Sequence, residues 1–411
     1  MPPLSAAGSE RSAEARRAFP IPAVLTAAVA LTVLASTPAF AASGDLDRSF
    51  GVGGKVTLSL ARDGSQGNAV LVQPDGRIVI GGWAYAKGFA LVRLLRDGSL
   101  DPSFGDAGVV TTNFPEGPAV ITDLALERDG RIVAAGLVEG SLAIARYRPN
   151  GTLDASFGRN GLVAARYRSS QTGAEGVGVD DRGRILVAGS ASDRSWLLGR
   201  FSAAGRLDRR FGRDGWATVN FGFGEEGARD LALTPSGRIV VAGTGDARFA
   251  LARFRRDGSL DPQFGDGGTV VVPGSFRGAA TAVSLLRDGD ILAAGFAAGG
   301  FQLRRYLPSG RPDRSWGSGG RASGPHVDGN AYDMVVASDG SAVLVGSAFS
   351  DFTVARYVRR GALDTAFGVD GVVHTRFPNY GPAEGIALMP NRRMVVVGQS
   401  GQRIGVARYR A

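Results

Sequence analysis

The sequence contains no cysteine, which excludes disulfides, zinc–thiolate sites and cysteine nucleophiles at once. Histidine is nearly as scarce, with only His326 and His374, in different parts of the chain and without metal-ligand spacing. Serine-, cysteine- and zinc-type hydrolytic chemistry therefore has little to work with. Lysine occurs only at Lys55 and Lys87, so arginine supplies almost all the positive charge. No calcium loop and no nucleophile elbow occur, and no Gly-x-Gly opens a helix; Gly53-Gly54 reads as a turn. Asp180-Asp181 likewise reads as a turn pair rather than as a glycosidase pair. No cofactor and no metal site is expected.

The opening segment reads as an address. Arg11, Arg16 and Arg17 precede an apolar run from Ile21 to Leu34, and Ala39-Phe40-Ala41 follows as a small-x-small cleavage pattern. The run is short for a membrane span. Residues 1–41 are expected to be a signal peptide cleaved after Ala41, with no membrane span left in the product. Residues 42–411 form the expected mature domain, secreted or associated with a bacterial cell envelope.

The rest of the chain is dominated by turns and repetition. Of 411 residues, 62 are Gly, while 44% are hydrophobic and 21% charged, which is a globular composition. A phrase Leu-Asp-x-x-Phe-Gly-x-x-Gly recurs at intervals of roughly 53 residues. It begins at Asp47, Asp101, Asp154, Asp208, Asp261, Asp313 and Asp364, and its aromatic is Phe50, Phe104, Phe157, Phe211, Phe264, Trp316 and Phe367. Four short β-patterned runs follow each Asp, bounded by Gly, Pro, Asn or Asp. Asp75-Gly76, Asp129-Gly130, Asp288-Gly289 and Asp339-Gly340 mark tight hairpin turns between the second and third runs. The third run, as in Ile78-Val79-Ile80, is apolar on both faces and belongs in the middle of a packed blade. The second carries small residues suited to a crowded axis. The expected fold is all-β, a seven-bladed propeller of four-stranded antiparallel blades. The first run of each following repeat is the outermost strand of a blade, and residues 55–60 close the ring against the last one.

These phrases, the Asp-Gly-Arg-Ile-Val turns and the Ala-Arg-Tyr endings resemble the delta-60 repeat family of bacterial β-propellers over residues 46–411. Ser341-Ala342 in the sixth repeat and Asn391-Arg392 in the seventh depart from the pattern and leave those two turns open. The resemblance implies a fold and leaves function unassigned, because that family is uncharacterised as a whole.

Charge and site candidates follow from the repeats. An Arg ends each fourth run: Arg93, Arg146, Arg200, Arg253, Arg305, Arg356 and Arg408. Each stands about eight residues before an Asp of the next phrase, which points to structural ion pairs. The unmatched ends, Asp47 and Arg408, are expected to pair with each other and close the ring. At the start of the innermost run the repeats place Ala69, Asp123, Gly176, Asp230, Ala282, Asp333 and Gly385, with Glu175, Glu226 and Glu384 nearby. Asp123, Asp230 and Asp333 are candidate binding residues at a channel mouth; the plainer reading is that each caps its own backbone. Tyr85, Trp196 and Tyr380 are expected as binding anchors on the variable loops opposite the uniform turns. The net charge of +9 is read as an arginine-biased composition spread over solvated strands, and no basic run interleaved with aromatics favours nucleic acid. The leading expectation is a binding scaffold whose partner is an envelope polymer or an extracellular protein. An enzyme acting on an extracellular polymer and a purely structural surface protein are the alternatives.

Overall fold

The computed structural model describes residues 43–168, 171–222, 227–274, 277–324 and 326–410. The signal-peptide expectation therefore falls outside the described residues, as does Glu226. What is described is a seven-bladed β-propeller. Blade 1 shows the plan. Its strands Ser65–Val72, Ile78–Ala84, Gly88–Leu94 and Val109–Thr112 lie side by side in that order, each antiparallel to the next. The inner strand of every blade touches the inner strands of both neighbours, which closes a ring round the axis. The two middle strands are buried along nearly their whole length, as their two-sided apolar pattern requires.

The ring closes by sharing a blade between the chain ends. Lys55–Leu58 pairs antiparallel with Arg403–Arg410, with Lys55 opposite Ala407 and Leu58 opposite Ile404. The seventh blade thus takes its outer strand from the first repeat, so the edges left on the ring are the short outer ones of its blades. Asp47 and Arg408 pair at 2.8 Å, both fully buried.

One blade departs from the plan. In blade 5 only Gly278–Leu285, Ile291–Ala297 and Gly300–Tyr306 form a continuous sheet. Among the described residues of 321–328, where the fourth strand belongs, Arg321 bridges Arg304, Asp328 bridges Gly300, and Ser323 bridges Ala362 of the following connection in parallel. The sequence of 321–328, with Gly324-Pro325 in the centre, cannot sustain a ladder. The two irregular tight turns do form. Gly340 donates its N–H to Ala337 at 2.9 Å, and Arg392 to Met389 at 3.1 Å. Arg392 adopts φ +63° where other repeats use Gly, as at Gly76 with φ +85°, so this turn forms in spite of a left-handed residue other than Gly.

The recurrent Arg and Asp make a repeated joint between blades. Arg93 binds Asp101 at 2.8 Å, Arg146 binds Asp154, Arg200 binds Asp208 and Arg253 binds Asp261, each at 2.9 Å. In blade 1 the guanidinium also donates to the Pro149 carbonyl of the following blade and lies 4.4 Å from the Phe104 ring centre. One side chain thereby ties a connection, a neighbouring blade and an aromatic together. Blade 5 again differs. Arg305 turns to Asp290 and Asp288, with Asp313 at 3.3 Å. The Trp316 indole N–H donates to the Arg359 carbonyl instead. In blade 6, Arg356 pairs with Asp364 at 3.2 Å and reaches the Ser43 hydroxyl.

Candidate functional site

Each inner strand contains a β-bulge at the same position. The register skips one residue between Gly67 and Ala69 in blade 1, and the same skip recurs in the other six blades. The unpaired residues are Asn68, Thr122, Glu175, Arg229, Thr281, Tyr332 and Glu384. A bulge releases its extra residue from the ladder and re-aims the side chain. All seven line a single axial cavity of about 540 Å³. Gln66, Ala279 and Asn330, at or beside the starts of their strands, line it as well, so it lies toward the face of the variable loops. A strictly repeated frame thus presents a ring of side chains that does not repeat.

The neighbouring positions hold the ring in place. Asp123 accepts the N–H of Leu124 at 2.7 Å and, across the blade boundary, that of Val177 at 2.7 Å. Asp230 does the same with Leu231 at 2.6 Å and Val283 at 2.7 Å, and Asp333 with Met334 at 2.7 Å and Ile386 at 2.8 Å. Backbone capping, the plainer reading of these residues, is thus half of what they do; each also staples its inner strand to the next. The staples join blades 2 to 3, 4 to 5 and 6 to 7. The receiving blades carry small residues at the matching position, Gly176, Ala282 and Gly385. At Gly176 a Cβ would come within 2.9 Å of the Asp230 Cα, so the close approach of blades 3 and 4 requires glycine. Asn68, Thr122 and Thr281 add side-chain hydrogen bonds to the Ile121, Ala174 and Ala331 carbonyls of the following blades.

The cavity is acidic. Burial among the inner strands pushes the Asp123 carboxyl up to about 7 and that of Asp333 up to about 6. Asp230 is raised well above its ordinary value by burial, reinforced by the charge of Asp123. Burial also raises Glu384, and raises Glu175 against the opposing charge of Arg229, which lies 3.9 Å away. All five carboxylates keep part of their surface open to the channel, so water moderates these shifts. Among the described residues no cluster of His, Asp and Glu has the geometry to hold a metal ion.

The expected loop anchors separate. Tyr85 and Tyr380 are exposed, 55% and 67%, on the variable-loop face. Trp196 is not an anchor. It is buried, donates its indole N–H to the Thr244 carbonyl at 2.7 Å and packs against Phe221 with ring centres 4.8 Å apart. The hairpin at 193–195 closes so tightly that Trp196 is already the first residue of its strand. The bulge ring as a set was missed in the sequence. Its signal was there: a large or polar residue flanked by small ones, as in Ala174-Glu175-Gly176 and Ala383-Glu384-Gly385.

Two other clefts open between tight turns on the opposite face. The one between blades 5 and 6 is about 620 Å³, the one between blades 3 and 4 about 270 Å³. In the two blades that flank the larger one, Asp290 and Ser341 stand where most repeats have Arg. Its most buried charge, Arg305, is already neutralised by Asp288 and Asp290. The axial cavity is the smaller of these two large spaces, yet it alone collects polar side chains from every blade.

Comparison with known proteins bears on the fold. A family model described as a domain of unknown function (DUF5122) beta-propeller matches residues 73–104, 127–157 and 234–264. Each matched segment runs from a tight turn to the aromatic of the next phrase. No curated protein sequence matches the chain. Among solved structures, a catalytically inactive virginiamycin B lyase from Staphylococcus aureus, with quinupristin, superposes with a TM-score of 0.60 at 10% identity, covering 86% of this chain and 98% of that one. A streptogramin B lyase gives 0.55 at 11% identity over 86% and 97%. The extracellular domain of a putative one-component system from B. thetaiotaomicron gives 0.50 at 10% identity, over 87% of this chain and 40% of that one. At such identities the likeness is one of fold.

Proposed function

We propose that this chain is an exported binding scaffold, a delta-60 repeat propeller secreted or held at a bacterial cell envelope, with residues 1–41 removed as a signal peptide. Its ligand is small, polar and positively charged, and enters the axial cavity from the variable-loop face. One observation carries the reading: the seven bulge residues form a ring of differing side chains inside a frame that otherwise repeats. The lining offers one cation, Arg229, against the bulge glutamates Glu175 and Glu384 and three aspartates that lose their protons to a bound cation more readily than to water, and this sets the sign of the ligand's charge. Tyr85 and Tyr380 are exposed on the same face, where aromatic side chains held on rigid loops serve as anchors.

The enzymatic alternative draws on Asp123 and Asp333, whose raised carboxyl groups would keep protons near neutral pH. It is less well supported, because both oxygens of each already accept backbone N–H groups and the side chains are pinned as walls. The test is calorimetric titration of the purified protein with small amines, glucosamine and spermidine, against the uncharged N-acetylglucosamine. Heat is expected from the amines alone and is lost in Glu175→Gln/Glu384→Gln at unchanged melting temperature. Equal heats from charged and acetylated sugars, or an indifferent double variant, would remove the assignment.

A further inference from the structure

Charge is divided between the two faces of the propeller. In every blade the antiparallel order brings the tight turn and the Leu-Asp-x-x-Phe-Gly connection to the same end. The turns are 73–77, 127–131, 180–184, 234–238, 286–290, 337–341 and 389–393. The connections are 93–108, 146–161, 200–215, 253–268, 305–320 and 356–371, with 43–54 and 408–410 completing the ring. Counted over Lys, Arg, Asp and Glu, these segments sum to +9, whereas all other residues from 43 to 410 sum to −1. The expectation of charge spread over solvated strands is thereby corrected: the Arg-rich phrases are turn phrases, and the topology gathers all turns of both kinds on one face. Every cation there is Arg, and Lys55 and Lys87 both lie elsewhere.

Three further features mark the same face. The six internal connections have one length, and so do the seven turns; no insertion rises from the face, and its relief includes the clefts between blades 5 and 6 and between blades 3 and 4. Large apolar side chains stand exposed on it, Val52 at 86% and Val369 at 79%, with Leu100, Leu307 and Val358 more modestly so. The chain joins the propeller there as well. Ser43 accepts the Gly368 N–H through its carbonyl at 2.9 Å and an Arg356 N–H through its hydroxyl at 3.0 Å. Ser43 follows closely in sequence on the apolar run 21–34.

We infer that the arginine face docks on an anionic lipid bilayer. Guanidinium groups pair with lipid phosphates, and Val52 and Val369 enter the headgroup layer beside the junction at Ser43. The cations are spread round the ring rather than along one track, and exposed Val52, Leu100, Leu307, Val358 and Val369 stand among them; a charged surface with apolar side chains suits a headgroup layer better than a linear polyanion. Docking in this way turns the axial cavity and the variable loops away from the membrane.

Co-sedimentation of the exported protein with vesicles tests this. Binding is expected to phosphatidylglycerol-containing vesicles and not to phosphatidylcholine alone, and it should weaken as salt is raised. Arg209, Arg210 and Arg213 are exposed in the most basic connection. The variant Arg209→Glu/Arg210→Glu/Arg213→Glu should lose about tenfold or more in vesicle affinity. The opposite-face variant Arg62→Glu/Arg403→Glu should bind as the parent does, and both should melt as the parent does. Equal binding to the two vesicle types, equal loss in the two variants, or binding to soluble polyphosphate without binding to vesicles would each overturn the inference.

Discussion

Replacing Arg408 with Met should open the ring where the chain ends meet. In the folded protein the Asp47 carboxylate is fully buried, 2.8 Å from Arg408 and 2.8 Å from Arg393, and accepts the Ser49 hydroxyl at 2.8 Å. Burial acts to raise its pKa, yet the Ser49 hydrogen bonds and the two guanidinium charges hold it below the usual carboxylate value. Breaking one side of a buried pair costs about 3–5 kcal/mol. Arg393 and Ser49 remain, which puts Arg408→Met near the lower end. The lost stacking of the guanidinium on Phe50, 4.6 Å from its ring centre, adds about 0.5–1 kcal/mol. With roughly 2.1 cal/mol/K per residue over about 370 folded residues, a loss of about 3–4 kcal/mol lowers the melting temperature by about 4–5 °C. Thermal melts followed by circular dichroism read this directly. Asp47→Asn should cost a comparable amount, and the double variant clearly less than the sum, because the two residues act as one unit. A drop within about 1 °C, or strict additivity of the two changes, would refute the view that this pair fastens the ring.

Four other outcomes follow from the structure. The folded state binds protons on Asp123, Asp230 and Asp333 more tightly than the unfolded chain, whose carboxyls titrate near 3.8. Stability should therefore fall as pH rises from about 4 through 7, and melts at successive pH values check the slope; a flat profile across that range would mean that these carboxyls are not perturbed. Asp47 and Asp101 are held low, so their contribution is present above the unfolded carboxyl value and should disappear as the pH drops below it. Trp196→Ala should cost about 3–5 kcal/mol as a core truncation, whereas Tyr85→Ala and Tyr380→Ala should leave the melting temperature nearly unchanged; the reverse ranking would restore Trp196 to the surface. Phe349 and Ser350 occupy left-handed backbone at φ +52° and +64°, with Phe349 82% exposed. Phe349→Asn/Ser350→Gly should raise stability by about 1 kcal/mol, measurable by denaturant titration, and a loss would show that the native pair is held by contacts.

What could be read in the sequence was whatever recurs. The Leu-Asp-x-x-Phe-Gly phrase fixed the number of blades, and the eight-residue interval from each Arg to the next Asp pointed to their pairing, including that of the two orphans at the ends. The bulge ring escaped notice because Asn68, Thr122, Glu175, Arg229, Thr281, Tyr332 and Glu384 share no chemistry; what they share is a register position, visible only once each strand is laid against its neighbour. Trp196 was misplaced for a related reason. Its equivalents, Phe89, Leu142, Phe249, Phe301, Phe352 and Ile404, are all large and apolar, so its position calls for a core residue whatever its identity. The division of charge was hidden by composition, since a total says nothing about where a topology gathers its turns.

The shared seventh blade also sets an order of events. The strand Lys55–Leu58 is synthesised early, while its partner Arg403–Arg410 follows only after six further blades' worth of chain. Arg408 and Ser49, hydrogen bonded in the folded protein, stand 359 residues apart. During the whole interval the first strand has no sheet to join, and its backbone donors and acceptors are answered by water alone. Two things limit the danger of this wait: the strand is only four residues long, and it begins with Lys55, both recognised ways of discouraging a lone edge from pairing with the wrong chain. A chain cut short before its last strand is left with an open ring, a waiting edge at one end and a bare blade at the other. Quality control would meet this protein either finished or plainly unfinished.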